Sequence, residues 1–218
     1  MKINYNRFNI FRSKDEKVRF NAHSIYEGHH NITYKNIKAF RCPFDYVLYQ
    51  MLLFEVKPDL VIEVGTSFGG GALYLADVLE NIGHGIVHTI DIKNLSDASL
   101  KKHKRIRLFT EGWEKYNLKE TKGFNKILVI EDASHIYEDT LGSMYKFAPV
   151  VTPGSYLIVE DGIIDELGLS KEKYHGGPLR AIREFMKKND NFIVDRKWCD
   201  FFGTNATFNV NGYLKRIR

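Results

Sequence analysis

The sequence predicts a doubly wound α/β fold, with a mostly parallel seven-stranded sheet behind an N-terminal helical or irregular extension over residues 1–40. Three observations predict it. Short, continuous, β-branched apolar runs recur along the chain. Stretches with helical spacing of apolar residues separate them. Several of the runs stop on glycine or on a carboxylate, as strands that open onto a ligand crevice do.

The elements follow in order. Phe44, Val47, Leu48, Met51 and Leu52 recur at helical spacing from Pro43 to Val56, with the proline at the first turn. Leu60-Val61-Ile62 and Val64 form the first strand, ended by Gly65. Leu73, Leu75, Ala76, Val78 and Leu79 predict a helix over 70–82. Gly85 to Asp91 reads as the second strand, 96–103 as a weak helix, and Ile106 to Thr110 as the third strand. Lys126 to Ile130 is the fourth, followed by a helix over 135–147. Ser155 to Val159, introduced by Pro153-Gly154, is the fifth. A helix runs from Pro178 to Lys188, and strands at 192–194 and 206–213 close the domain of residues 41–218. Strands this short and this uniformly apolar, spaced by helices, belong to a parallel sheet covered on both faces.

Composition narrows the class. A chain of 218 residues, 44% apolar and 27% charged, is one globular domain with a short extension. The net charge of +5 is mild and the cations are scattered, which argues against a nucleic-acid face. The dense run Lys101 to Arg107 fits a solvated helix end whose cations favour the negative dipole. Cys42 and Cys199 lie far apart, without the spacing of a zinc site or a disulfide framework. No apolar run approaches the length of a membrane span, and residues 1–20 lack the apolar core of a signal peptide. A reducing cytoplasm is the expected compartment.

Function is sought at the strand ends. Glu63 leads into Gly65-Thr66-Ser67-Phe68-Gly69-Gly70-Gly71, Asp91 ends the second strand, Glu131-Asp132 the fourth, and Glu160-Asp161 the fifth. One such carboxylate is unremarkable, since it caps the next helix as readily as it binds a ligand. Four on one sheet converge on one crevice. The loop departs from the dinucleotide fingerprint at Ser67, where a glycine lets backbone approach a pyrophosphate. S-adenosylmethionine (SAM) has no phosphate and suits the loop better. Glu63, Gly65, Thr66, Ser67, Gly69, Gly70, Asp91 and Asp132 are the candidate cofactor residues, with Asp91 placed to accept from both ribose hydroxyls. Trp113, Tyr137 and Tyr74 are candidates to stack on adenine or line a pocket. Each has the alternative of filling core or surface.

Asp132, Glu160 and Asp161 offer the hard oxygen ligands that Mg²⁺ takes alongside water. Pairing with Lys or Arg is the competing expectation. A cation held there would lower the pKa of an acceptor hydroxyl. His135, three residues beyond Asp132, is the candidate base. A nicotinamide enzyme, a metal-dependent hydrolase and a SAM-binding subunit without catalysis are the alternatives.

The runs Val61 to Gly70, Ile130 to His135, Val150 to Gly162, Gly176 to Ile182 and Asn211 to Leu214 together resemble the cephalosporin hydroxylase/rhamnosyl O-methyltransferase family over residues 40–216. The resemblance implies a class I methyltransferase fold, SAM as cofactor, Mg²⁺ on Asp132, Glu160 and Asp161, a homo-oligomer, and a sugar, polysaccharide or natural-product hydroxyl as acceptor. Ser134 departs from it, standing where many relatives carry an acidic residue before the histidine. Hydroxylation is not expected. An iron(II) oxygenase needs a facial triad of two histidines and a carboxylate, and no His-x-Asp or His-x-Glu occurs in the chain.

Overall fold

The computed structural model describes residues 20–93 and 95–218; the expectations for residues 1–19 lie outside it. A helix α1 (Ala22–His29) opens the described chain. Asn21 and Ser24 cap it reciprocally: Asn21 Oδ1 accepts from the Ser24 amide at 3.0 Å, and Ser24 Oγ from the Asn21 amide at 2.8 Å. A small hairpin follows, β1 (Thr33–Tyr34) paired antiparallel with β2 (Ile37–Lys38). The extension is therefore structured from residue 21 to the start of α2 (Pro43–Val56).

The main sheet contains β3 (Leu60–Val64), β4 (Ile86–Ile90), β5 (Ile106–Phe109), β6 (Ile127–Glu131), β7 (Tyr156–Val159), β8 (Phe192–Val194) and β9 (Tyr213–Arg216). Their spatial order is β5-β4-β3-β6-β7-β9-β8, with β9 alone running against the direction of the other six. The chain winds outward from β3 to β5, returns to the other side of β3 with β6, and winds outward again. The carboxyl ends of β3 and β6 thus flank the point where the winding reverses, the place where such sheets bind ligands.

Helices cover both faces because the strands are apolar on both. Val61, Val87, Leu128 and Ile158 pack against α2 and α3 (Gly70–Ile82). Leu60, Ile62, Val129 and Leu157 pack against α4 (Tyr137–Phe147) and α5 (Gly177–Lys188). A short α6 (Arg196–Cys199) buries Trp198 on the first face.

Two expected elements differ. The weak helix at 96–103 shrinks to a single 3₁₀ turn at Leu100–Lys102. The final strand begins at Tyr213, not at Ala206. Residues 207–209 instead knot around the buried Asp45: Thr207 Oγ1 donates to it, and the Phe208 amide donates at 3.0 Å. The Phe208 amide, spent on that carboxylate, is not free for a ladder, and the apolar alternation of Ala206, Phe208 and Val210 does not become a strand.

Candidate functional site

Strand parity builds the site. Alternate residues of a strand point to opposite faces, so Glu63 shares the α2–α3 face with Val61, and Thr89 shares it with Val87. Pairing continues one step beyond the strands. Gly65 N donates to Ile90 O at 2.8 Å, Asp132 N to Val64 O at 2.8 Å, and Glu160 N to Glu131 O at 2.9 Å. Asp132 and Glu160 thereby keep the parity of Ile130 and Ile158 and fall on the same side as Glu63. Glu131 falls on the α4 side, where burial pushes its carboxyl up to about 8. It borders neither of the cavities described next.

Two cavities open at these strand ends and share Gly65, Ser67, Asp132 and Ala133. The outer one, of about 370 Å³, is bordered by Ile90, Asp91, Ile92 and Trp113. The inner one, of about 240 Å³, is bordered by Arg41, Glu63, His135 and Asp161, and is roofed by Tyr26, His30 and Phe40 from the extension. Gly65 makes the junction possible. Its φ is +107°, and a Cβ there would lie 1.9 Å from the Asp132 carbonyl oxygen.

Asp91 sits at the outer cavity with its carboxylate fixed by backbone: Oδ2 accepts from the Ser67 amide at 2.8 Å and Oδ1 from the Lys93 amide at 3.0 Å. Each oxygen keeps a second lone pair for a ligand hydroxyl. Thr66 and Thr89 hydroxyls stand 2.7 Å apart, and Thr89 donates to Glu63 at 2.6 Å. Burial nevertheless raises the Glu63 carboxyl to about 7, with Arg41 opposing the rise. Gly69 and Gly70 face protein instead. A Cβ on Gly69 would strike Leu100 at 2.4 Å, and one on Gly70 would strike the Lys38 carbonyl at 2.4 Å. Gly70 thus seats the hairpin on α3. Of the three candidate aromatics, Trp113 borders the outer cavity. Tyr74 packs edge-on against Tyr34, and Tyr137 lies under the Arg180 guanidinium at 3.8 Å.

In the inner cavity, Asp132, His135 and Asp161 each offer a ligand atom within 4.8 Å of the others. His135 Nε2 lies 3.2 Å from Asp161 Oδ2. Both residues have left-handed backbones, φ +59° and +58°, conformations that cost a non-glycine residue on the order of 1 kcal/mol or more and concentrate at functional sites. Burial and the nearby Glu160 charge push Asp132 well above the usual carboxylate range and Asp161 up to about 7. Burial holds His135 down to about 4, so its imidazole is neutral near pH 7. Crowded carboxylates of this kind fit a divalent cation, whose charge would offset their repulsion.

Glu160, the third carboxylate expected to bind metal, is turned away onto Arg41. Arg41 Nε donates to Oε1 at 3.0 Å and Oε2 at 3.2 Å, Nη2 lies 2.8 Å from Oε1, and Tyr49 OH donates to Oε1 at 2.7 Å. Arg41 also reaches Glu63 and Asp132, each at 3.5 Å. Sequence reasoning missed Arg41. The signal that could have found it is the need of several converging buried carboxylates for a counter-ion.

Comparison with known proteins identifies the family. The sequence matches the family described as Rhamnosyl O-methyltransferase/CmcI over residues 27–217. It is 31% identical over 224 residues to a rhamnosyl O-methyltransferase of Mycobacterium leprae, covering 95% of this chain and 93% of that protein. A rhamnosyl O-methyltransferase of Mycobacterium tuberculosis is 29% identical, with 95% and 88% covered. Among solved structures, CmcI with SAH superposes with a TM-score of 0.68 at 18% identity, covering 94% of this chain and 90% of that one. CmcI with Mg and SAM gives 0.63 at 18%, covering 87% and 78%. TomG, an O-methyltransferase of Streptomyces achromogenes in complex with SAM, gives 0.58 at 15%, covering 94% and 93%. At those identities the superpositions speak for the fold, which is that of the SAM-dependent methyltransferases. The sequence match, running almost from end to end, places this chain in the rhamnosyl O-methyltransferase/CmcI family.

Proposed function

We propose that the chain transfers the methyl group of SAM to a hydroxyl of a sugar-containing acceptor, with a divalent cation, Mg²⁺, assisting. The observation that carries this reading is the pair of cavities joined at Gly65, with Asp132 bordering both. A cofactor lying across that junction has its nucleoside in the outer cavity and its reactive end beside Asp132, His135 and Asp161.

Asp91 would accept hydrogen bonds from the ribose hydroxyls, and Trp113 with Ile92 would cover the adenine. Glu63, Thr66 and Ser67 would flank the amino acid end. Gly65 leaves room for the chain to cross from one cavity to the other. Asp132 and Asp161 would hold the cation, with Glu160 kept behind them on Arg41; the cation, when bound, lowers the pKa of an acceptor hydroxyl. His135 would take the hydroxyl proton at Nε2, the ring nitrogen beside Asp161. The neighbouring carboxylate then stabilises the imidazolium that forms. The inner cavity's task is to hold the acceptor oxygen in line with methyl and sulfur and to keep water out, and such alignment supplies much of the rate in two-substrate reactions. The extension roofs this cavity and would contact the acceptor.

The test is direct. The protein is incubated with SAM and a panel of rhamnosyl and other glycosides, with Mg²⁺ or with EDTA, and products are read by mass spectrometry. Methyl ethers and SAH that appear with Mg²⁺ and vanish with EDTA are expected. Binding of SAH without any methylated product across the panel would favour a non-catalytic subunit. Undiminished product in EDTA would remove the cation from the mechanism. A gel-filtration mass measurement with light scattering checks the further proposal that the chain works as a homo-oligomer.

A further inference from the structure

The walls of the inner cavity are layered by charge. Its floor, at the strand ends, is acidic: Glu63, Asp132 and Asp161 border it, and Arg41 among them is committed to Glu160, Glu63 and Asp132. Its roof has the opposite character. Among the described residues before α2, His30 and Lys38 border the cavity and no carboxylate does. Lys38 is exposed and makes no ion pair among the described residues, whereas Lys35 in the same hairpin lies 2.6 Å from Asp77. The Lys38 ammonium is seated instead on two rings, 5.6 Å from the centre of Phe40 and 5.1 Å from that of Phe68, which meet edge to face. Aromatic faces hold an ammonium in place without neutralising it.

A second lysine repeats the arrangement. Lys173, exposed and likewise without an ion pair among the described residues, lies 4.7 Å from the centre of the Tyr174 ring, and Tyr174 borders the same cavity. Its charge is felt inside: burial chiefly lowers the His135 imidazole, Glu160 opposes, and Lys173 adds to the lowering. Glu27 of α1, close enough to act on Tyr26 electrostatically, does not border the cavity. Open cations above an acidic floor fit a ligand with a neutral hydroxyl inside and an anionic group outside. A planar carboxylate is matched best by a free arginine fork. Arg41 has Nε and Nη2 on carboxylates and Nη1 buried against Gly71. Ammonium groups are compact point charges, donors that a tetrahedral phosphate accepts from several directions. The floor carboxylates repel a phosphate, so the same charges set which end of the ligand enters.

We propose that the acceptor sugar carries a phosphate ester, which Lys38 and Lys173 receive at the edge of the roof while the reacting hydroxyl lies on the acidic floor. The proposal rests on the reading of the chain as a methyltransferase for a sugar hydroxyl. Lys38 and Lys173 are specificity residues here. They draw a phosphorylated sugar to the opening and turn its hydroxyl toward Asp132 and His135. A free sugar phosphate and a nucleoside diphosphate sugar share this chemistry.

The experiment measures initial rates with SAM on three acceptors, methyl rhamnoside, rhamnose 1-phosphate and UDP-rhamnose, with Mg²⁺ in excess over phosphate. For at least one phosphorylated sugar, KM is expected to be about tenfold below that of the neutral rhamnoside, the scale of one charge-assisted hydrogen bond. Added salt should shrink the difference, since the lysines are exposed. A preference for rhamnose 1-phosphate identifies a terminal phosphate as the ligand; one confined to UDP-rhamnose identifies the diphosphate bridge. In Lys38→Gln and Lys173→Gln the ratio of KM values should fall, furthest in the double variant, and Lys38→Arg should keep it. Equal KM values, or a lower one for the neutral rhamnoside, overturn the proposal and leave methyl transfer to a sugar standing. A preference undiminished in the double variant overturns it as well, because the phosphate is then received elsewhere. Methylation of neither phosphorylated sugar also overturns it, and if the neutral rhamnoside fails too, the reading of a rhamnosyl acceptor falls with it.

Discussion

The two cavities at the centre of this molecule are built in different ways. The outer one is made from consecutive features of the winding sheet: the end of β4, Asp91 pinned by the Ser67 amide, and Trp113 just beyond β5. The inner one is assembled from distant parts of the chain. Arg41 meets Glu160 across 119 positions, Tyr49 meets Glu160 across 111, and α1 and the chain after it supply the roof. The outer cavity is the more apolar of the two, although Asp91, Glu114, Asp132 and Asp139 border it, whereas the inner one brings Arg41 and His135 against Glu63, Asp132 and Asp161. The proposed binding half and reacting half rest on this contrast, and substitutions should separate them.

The largest effect is expected at Asp132. Replacing it by Asn should lower turnover on the order of a thousandfold, the scale of removing one electrostatic group from a reacting site. SAH affinity should move far less. Single-turnover kinetics beside calorimetry read the two apart, and full turnover in this variant would break the division. Next is Gly65→Ala. Its Cβ would lie 1.9 Å from the Asp132 carbonyl oxygen at a φ of +107°. The cost in urea unfolding should be about 3 kcal/mol, from overpacking and backbone strain together. Because Gly65 belongs to both cavities, affinity and turnover should fall together, and an unchanged urea midpoint would show that the loop relaxes freely.

Asp91→Ala should weaken SAH binding about 10- to 100-fold through lost hydrogen bonds to a charged acceptor. Turnover at saturating SAM should be nearly retained; a large loss there would mean that Asp91 belongs with the reacting half. The smallest effect is expected for Trp113→Ala, a loss of roughly tenfold in SAH affinity from one aromatic contact. Quenching of tryptophan fluorescence on SAH addition provides the check, since a ring against adenine reports its occupant. Quenching that persists unchanged without Trp113 would place the adenine elsewhere.

What was legible in the sequence follows the same divide. Apolar β-branched runs announce buried strands because both faces of a parallel sheet are dry. Their carboxyl ends could therefore be located, and Glu63, Asp91, Asp132, His135 and Asp161 all lie at the paired cavities. The glycines were harder to read. Gly65 serves the crevice, while Gly69 and Gly70 serve packing against Leu100 and the hairpin. A glycine in a sequence shows that space is scarce without showing what takes it. The orientation of Glu160 was hidden for a related reason. Its partner is one arginine in a stretch without periodicity, and a salt bridge across more than a hundred positions leaves no local pattern. The misplaced final strand has the same origin, since the pull of Asp45 on Thr207 and Phe208 acts through space.

The hairpin on Gly70 has a consequence for how such a protein can change over generations. The floor of the inner chamber is made by strand ends, where an altered residue disturbs the ladder and the neighbouring cavity together. The roof is made by Tyr26, His30, Lys38 and Phe40, in chain that precedes the sheet and joins none of its strands. Residues 22–40 can be rewritten, lengthened or exchanged with the strand ends left intact as long as Arg41 stays on Glu160, so the two surfaces are free to drift at different rates. One fastening between them is a missing methyl, and another is the Tyr34 hydroxyl, which donates to Asp77 at 2.9 Å. A side chain at position 70 would collide with the Lys38 carbonyl and lift the hairpin from α3. New chambers can arise under new roofs as long as these fastenings are kept.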